Sequence, residues 1–152
     1  MAETILIREA EWDDRNDLVR LLCELVSGEP DFRPDASRLE FGIQRMLDAP
    51  ETRTIFVAQE LGRIVGMCAG QLLLSTAEGG CVLLVEDFIV EESFRGRGIG
   101  RRLMEAVEAW GTTRGAKRFQ LLTDRNNKTA LRFYRNLGWR RTQLTYLFRY
   151  PD

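Results

Sequence analysis

The segment Phe94-Arg95-Gly96-Arg97-Gly98-Ile99-Gly100-Arg101-Arg102 lies between an apolar run, Cys81 to Val90, and a helical pattern, Leu103 to Trp110. Its three glycines alternate with other residues, so the backbone can turn tightly and approach a ligand without Cβ obstruction. The helix that follows directs its unpaired N–H groups and positive dipole end toward the turn, an arrangement that suits a diphosphate. The segment therefore predicts a diphosphate site built from the amides of Arg97 to Gly100, with charged donors from Arg95, Arg97 and Arg101.

Two other glycine-rich phosphate sites do not match this spacing. A P-loop needs a Gly-Lys-Ser/Thr sequence, which the chain lacks. The dinucleotide fingerprint requires its third glycine three residues after the second, but Gly100 follows Gly98 by two. Spacing alone leaves open a plain surface turn with incidental arginines, or a domain that binds ATP.

The pattern Arg95-x-x-Gly98-x-Gly100 resembles the acyl-CoA signature of the GCN5-related N-acetyltransferases (GNAT). A second block, from Asn127 to Trp139, resembles that family's N-x-x-A-x-x-F/L-Y-x-x-x-G-F segment, with Trp139 in place of the final Phe. One helix and one strand separate the two blocks, as in the family. The resemblance covers about residues 55–148, and it implies the acyl-CoA N-acyltransferase fold.

The hydrophobic patterns predict one α/β (α+β) domain over residues 1–152, with a mixed central sheet flanked by helices. The predicted element order is β-α-α-β-β-β-α-β-α-β, which is the order of the acetyltransferase fold. Predicted strands are 4–8, 52–59, 63–74, 81–90, 118–123 and one or two within 139–150; predicted helices are 11–26, a second capped by Asp35 or Ser37 and ended by Pro50, 98–114 and 128–137.

Composition excludes several classes of function. A net charge of −1 over 152 residues gives no basic footprint for nucleic acid. The chain has no histidine, which excludes Ser-His and Cys-His mechanisms and most zinc sites, and we expect no metal. Three widely spaced cysteines argue against a disulfide framework. No run of 18 apolar residues and no signal-like N-terminus is found, so we expect a cytoplasmic protein without a membrane association.

The resemblance implies acetyl-CoA as cosubstrate, without a metal. In the family, the strand before the turn offers its edge to the pantetheine arm, in the manner of strand addition. An N–H group of that strand also stabilises the oxyanion. The cofactor-binding residues so implied are Phe88, Ile89, Val90, Arg95, Gly96, Arg97, Gly98, Ile99, Gly100, Arg101, Asn127, Ala130 and Phe133.

Two residues are candidate catalytic groups. The resemblance places Tyr134 beside the cofactor sulfur as general acid for the leaving thiolate; its alternative role is a core tyrosine on the face that carries Ala130 and Phe133.

Glu86 lies in an apolar strand, where a carboxylate is costly unless paired or functional. The Glu86-Asp87 pair resembles the same stretch in diamine (spermidine/spermine-type) and glucosamine-phosphate acetyltransferases, which implies that Glu86 deprotonates or orders the amine. A structural carboxylate is the alternative for Glu86 and the preferred role for Asp87, which strand alternation places on the opposite face.

The substrate is less determined than the cofactor. The loop between the first two helices carries Glu29, Asp31 and Phe32, which could attract a cationic amine and cover its methylene body, although a solvated turn explains them equally. We expect a small primary amine, namely a polyamine, an amino acid or an amino sugar. The alternatives are a protein or peptide N-acetyltransferase and a non-catalytic acyl-CoA-binding regulatory module. Apolar C-terminal strands with Tyr146, Phe148 and Tyr150 are compatible with a homodimer edge.

Overall fold

The computed structural model describes residues 4–152, which form two compact units, one ending at Gln120 and one comprising Leu121–Asp152. Among these residues no helix combines the length and the apolar content that crossing a bilayer requires. The strands are β1 (Leu6–Glu9), β2 (Arg53–Glu60), β3 (Arg63–Ser75), β4 (Gly80–Val90) and β5 (Phe119–Leu121); the helices are α1 (Arg15–Ser27), α2 (Ala36–Leu47), α3 (Ile99–Thr113) and α4 (Lys128–Asn136), with 3-10 turns at Trp12–Asp14 and Glu92–Phe94.

The strands form a five-stranded sheet in the order β1-β2-β3-β4-β5. The first four strands pair antiparallel, and the predicted hairpin between β2 and β3 is present. Beside β4 lies the segment that leads into β5, where Leu83 N–H donates to the Arg118 carbonyl at 2.9 Å. The sequence therefore predicted the mixed α/β architecture correctly.

The helices α1 and α2 pack on one face of the sheet and α3 packs on the other. Leu18 and Leu21 of α1 share a buried cluster with Met67 and Ala69 of β3. The intervening residues of β3 face the other side, because side chains alternate along a strand. At Gly70 a Cβ atom would lie 2.9 Å from Val107 Cγ1 of α3, so α3 approaches the sheet at that position as closely as a glycine permits.

The helix caps follow the sequence. Asp35 is the N-cap of α2, and its carboxylate accepts from the amides of Ser37 and Arg38 at 3.1 and 3.3 Å. Asn127 is the N-cap of α4, where its Oδ1 accepts from the Ala130 amide at 3.1 Å. Both residues satisfy amides that have no partner inside the helix.

The predicted C-terminal strands are wrong. The structure assigns no strand to residues 139–152, and β5 is limited to three residues. Tyr146, Phe148 and Tyr150 are instead exposed; the Tyr146 and Phe148 rings stack with centroids 6.3 Å apart, and the Phe148 and Tyr150 rings meet edge to face at 5.8 Å. Alternating apolar residues favour a strand, but a strand forms only where a neighbouring edge supplies hydrogen bonds. The pattern contained no information about such an edge.

Candidate active site

The glycine turn (residues 95–100) has the backbone that its sequence predicted. Gly96 and Gly98 have φ values of 76° and 78°, in the left-handed region that other residues rarely occupy. Apart from the adjoining residues, no heavy atom of residues 4–152 lies within 4 Å of a Cβ built on either glycine, so there is open space at that side of the turn. Ile99, which is 2% exposed, holds the start of α3 against the core. The turn is therefore fixed to the core through Ile99, and its glycines face open space that a ligand can enter.

Helix α3 directs amides toward this open space. Arg102 N–H donates to the Gly98 carbonyl at 3.2 Å, which is the first i to i−4 bond of the helix. The amides of Ile99, Gly100 and Arg101 precede that bond, as the first amides of any helix do. Together with the positive end of the helix dipole they are donors of the kind that bind anions, and their role as a diphosphate site remains a prediction. A diphosphate fits this donor set.

The arginines of the turn also have partners within the protein. Arg95 Nε donates to the Val90 carbonyl at 2.9 Å, which ties the turn to the end of β4. Arg97 pairs with Glu60 of β2 at 3.1 Å and lies over the Phe94 ring. Arg101 lies 3.7 Å from Glu105 one helical turn along. These side chains hold the turn in position in addition to carrying positive charge.

Strand β4 contains a β-bulge just before the turn. Met67 pairs with Ile89 and Ala69 pairs with Glu86, so Asp87 and Phe88 together oppose Cys68 alone. Asp87 has φ = 51°, a left-handed conformation that Asp tolerates better than most residues. Regular side-chain alternation is not expected across a bulge, so the strand pattern no longer supports the placement of Glu86 and Asp87 on opposite faces, and that placement stays a prediction.

The two carboxylates at the bulge hold their protons more tightly than usual. Burial raises the pKa of Asp87 to about 6, and the nearby charge of Glu86 contributes to that rise. Glu86 is exposed as a residue, yet desolvation of its carboxyl raises its pKa as well. A carboxylate with a raised pKa is a better proton acceptor near neutral pH than an ordinary one. The bulge thus places two potential bases in one short segment.

The backbone next to the bulge is paired on one side by β3. Ile89 pairs with Met67 and Val90 with Gly66. On the other side of β4 lies β5, which ends at Leu121 after only three residues. The role of Phe88, Ile89 and Val90 as an edge for the pantetheine arm remains a prediction.

The second sequence block lies in the unit comprising Leu121–Asp152. Tyr134, Phe133 and Ala130 are partly buried on α4, and the Tyr134 ring lies 5.4 Å from Phe133 and 6.2 Å from Trp139. The Tyr134 carbonyl accepts from the Trp139 amide at 3.0 Å and so helps to end the helix. These ring contacts are compatible with either role, and the role of Tyr134 as general acid remains a prediction.

The candidate substrate residues lie on the loop between α1 and α2. Glu29, Asp31 and Phe32 are all exposed, and Phe32 is 41% exposed. The amide of Phe32 lies 3.4 Å from the Glu29 carbonyl, which makes the loop a local turn. The exposed carboxylates are available to a cationic ligand, and their role remains a prediction.

Sequence reasoning missed Glu91, the residue that follows β4. Glu91 is only 8% exposed and forms ion pairs with Arg20 of α1 and Arg63 of β3. A carboxylate directly after a buried strand was the available signal, because such a group is rarely buried without a cationic partner. The two arginines come from distant parts of the sequence, and only the fold identifies them.

Known proteins resemble this chain in both sequence and fold. A sequence model of the acetyltransferase (GNAT) family matches residues 10–139. An uncharacterised N-acetyltransferase of Archaeoglobus fulgidus is 31% identical over 138 residues, which cover 90% of this chain and 94% of the relative. The aminoglycoside N(6')-acetyltransferase type 1 of Salmonella typhimurium is 26% identical over 119 residues, which cover 76% and 81% of the two chains.

Among solved structures, the aminoglycoside N-acetyltransferase AAC(6')-Iy in complex with CoA superposes with a TM-score of 0.85 and 21% identity, covering 100% of this chain and 98% of that one. This likeness shows the acyl-CoA N-acyltransferase fold. The family match spans most of the chain and includes both sequence blocks. The chain therefore belongs to the GNAT family and is an acyltransferase.

Proposed function

We propose that this protein transfers the acetyl group of acetyl-CoA to a primary amine of a small molecule. The observation that carries the proposal is the glycine turn, where two left-handed glycines leave open space in front of the first amides of α3. That donor set has the geometry for a diphosphate, and CoA carries one. CoA in the AAC(6')-Iy complex is consistent with the same cosubstrate here.

The chemistry requires a bound thioester, an uncharged amine and a protonated leaving group. Acetyl-CoA supplies an activated acyl group. In the proposed reaction Glu86 accepts a proton from the ammonium, directly or through a water molecule, and its raised pKa favours this transfer. The amine nitrogen then forms a bond to the acyl carbon while the carbon–sulfur bond breaks. Tyr134 donates its proton to the departing thiolate, and the second proton that the nitrogen releases as the amide forms returns to the Tyr134 phenolate, directly or through a water molecule.

A small amine is the proposed substrate class. The names of three relatives specify an aminoglycoside, an aminoalkylphosphonate and glucosamine 6-phosphate as substrates of those proteins. All three names denote small molecules that carry an amine. The exposed Glu29 and Asp31 provide negative charge that would favour a cationic acceptor. A polyamine, an amino acid and an amino sugar all satisfy this description.

The test is thiol release from acetyl-CoA with a panel of amines. We expect at least one small primary amine to release CoA thiol, and Tyr134→Phe to lower kcat by about 10- to 1000-fold while CoA affinity is retained. Tyr146→Phe is the matched control, since Tyr146 is exposed and lies outside the motif. Tight CoA binding without turnover of any amine would instead favour a non-catalytic acyl-CoA-binding module. Turnover of peptides alone would favour a protein acetyltransferase.

We also propose that residues 1–152 act as one GNAT domain, because a single family model spans residues on both sides of Gln120. A single cooperative unfolding transition observed by two probes would support this view, and two separate transitions would contradict it.

The homodimer is proposed on a changed basis, namely the exposed aromatic side chains of the C-terminal segment instead of a strand edge. Light scattering after size-exclusion chromatography measures the mass directly.

A further inference from the structure

An ion-pair cluster lies where β4 leads into the glycine turn. The Glu91 carboxylate accepts hydrogen bonds from Arg63 Nη2 at 2.9 and 3.1 Å and from Arg20 Nη1. Arg20 Nη2 also donates to the Ile64 carbonyl at 2.7 Å. The cluster thus joins α1, the start of β3 and the end of β4 through one carboxylate.

The backbone of Glu91 begins the path to the glycine turn. Its N–H donates to the Val65 carbonyl at 2.9 Å, and its own carbonyl accepts from Phe94 at 2.9 Å. The 3-10 turn Glu92–Phe94 follows, and Arg95 returns to the Val90 carbonyl. Hydrogen bonds therefore hold residues 90 and 91 in place, and the position of residues 95–100 depends on them. A displacement there would move the amides at the start of α3 relative to β4.

The Glu91 carboxylate is charged in the folded protein. Burial alone would raise the pKa of Glu91, but hydrogen bonds from Arg63 and Arg20, with their positive charges, together lower it below its ordinary value. A buried carboxylate with two guanidinium partners resists displacement, because moving it away from them would leave its own desolvated charge unpaired. The cluster does not include Glu86 or Tyr134, the residues proposed to transfer protons.

We propose that Glu91 is a positioning residue that, through Arg20 and Arg63, holds the entry of the glycine turn in the geometry that binds the diphosphate of an acyl-CoA. This inference rests on the proposed function. It assigns Glu91 to cosubstrate binding and not to proton transfer. The affinity for ligands without a diphosphate should therefore not change when Glu91 is replaced.

The experiment compares CoA with pantetheine, which has the same thiol arm but no phosphate. Glu91→Gln should weaken CoA binding about tenfold in calorimetry, because a shifted turn misaligns several donors together. Pantetheine binding, followed by ligand-detected NMR, should not change. In turnover the KM for acetyl-CoA should rise while kcat is retained. Glu92→Gln, on the adjacent exposed residue, is the matched control and should change CoA affinity less than twofold.

A second variant addresses the case in which Glu91→Gln does not fold. Arg63 is 60% exposed at its side chain, so Arg63→Met should fold and should weaken CoA binding in the same direction. Unchanged CoA affinity in both variants would overturn the inference. Equal losses for CoA and pantetheine would also overturn it, since they indicate a general structural role. If the unmodified protein binds CoA no better than pantetheine, the proposed diphosphate site itself is wrong.

Discussion

Replacing Asp87 with Asn should stabilise the protein, and the gain should depend on pH. Asp87 lies at the bulge of β4, half-buried opposite Cys68. Burial, with the Glu86 charge, raises the pKa of Asp87 from 3.8 to about 6. Asn has nearly the same shape, carries no charge and also tolerates the left-handed φ of 51°. The substitution therefore changes mainly the ionisation of this position.

The direction in which stability changes with pH follows from proton linkage. The folded protein holds the Asp87 proton more tightly than the unfolded chain, so the free energy of unfolding falls as pH rises from about 3.8 through about 6. That difference in pKa corresponds to at most about 3 kcal/mol of lost stability above pH 7. Asp87→Asn removes this loss. The variant should exceed the parent by up to about 3 kcal/mol at pH 8, and the gap should shrink toward pH 4.

Urea denaturation at a series of pH values between 4 and 8 measures this difference directly. Asp31→Asn, on the exposed loop between α1 and α2, is the matched control and should change stability by less than about 0.5 kcal/mol at every pH. Asp87→Ala removes the same charge but disfavours the left-handed backbone, so it should be less stable than Asp87→Asn. A gap between Asp87→Asn and the parent that is constant with pH would refute the reasoning.

Four further substitutions test the site and its packing. Gly98→Val should abolish CoA binding in calorimetry, because a β-branched residue is strained at φ = 78° and its Cβ would occupy the open space proposed for the diphosphate; retained affinity would contradict that placement. Glu86→Gln should lower kcat/KM mainly below the pKa of the amine, and a pH–rate profile identical to that of the parent would remove Glu86 from the mechanism. Gly70→Ala should cost about 1–3 kcal/mol in urea denaturation, since its Cβ would lie 2.9 Å from Val107. Gly42→Ala in α2, with nothing within 4 Å of the new Cβ, should instead stabilise by about 0.5–1 kcal/mol, and the reverse order would contradict the packing described for α3.

Local patterns predicted most of the fold because each pattern has a local physical cause. The helical pattern from Leu103 to Trp110 predicted α3, and α2 begins after Asp35, which was one of the two caps predicted for it. The glycines predicted a tight turn, and Gly96 and Gly98 form it with left-handed φ values that glycine adopts at low cost. These features depend on neighbours within a few residues, which a sequence displays directly.

The features that were missed depend on distant neighbours. The bulge at Asp87 is defined by its register against Met67 and Ala69, and an alternation argument within β4 does not detect it. Glu91 obtains its arginine partners from positions 71 and 28 residues away. The absent C-terminal strand has the same origin, because a pattern specifies a strand's preference but not its partner. The sequence pattern did not predict strand register or pairing between residues that are far apart in the chain.

The bulge in β4 also makes that strand more tolerant of changed residues than of changed length. Inserting or deleting one residue between Val85 and Ile89 would shift the pairing of Val90 and rotate its side chain away from α3. The hairpin turn at residues 76–79 carries no such constraint, because within the part of the chain that the structure describes only the adjoining residues lie within 4 Å of a Cβ built on Gly79. An engineer who wishes to reshape this protein should therefore graft new segments at that turn and keep the residue count from 85 to 90 unchanged.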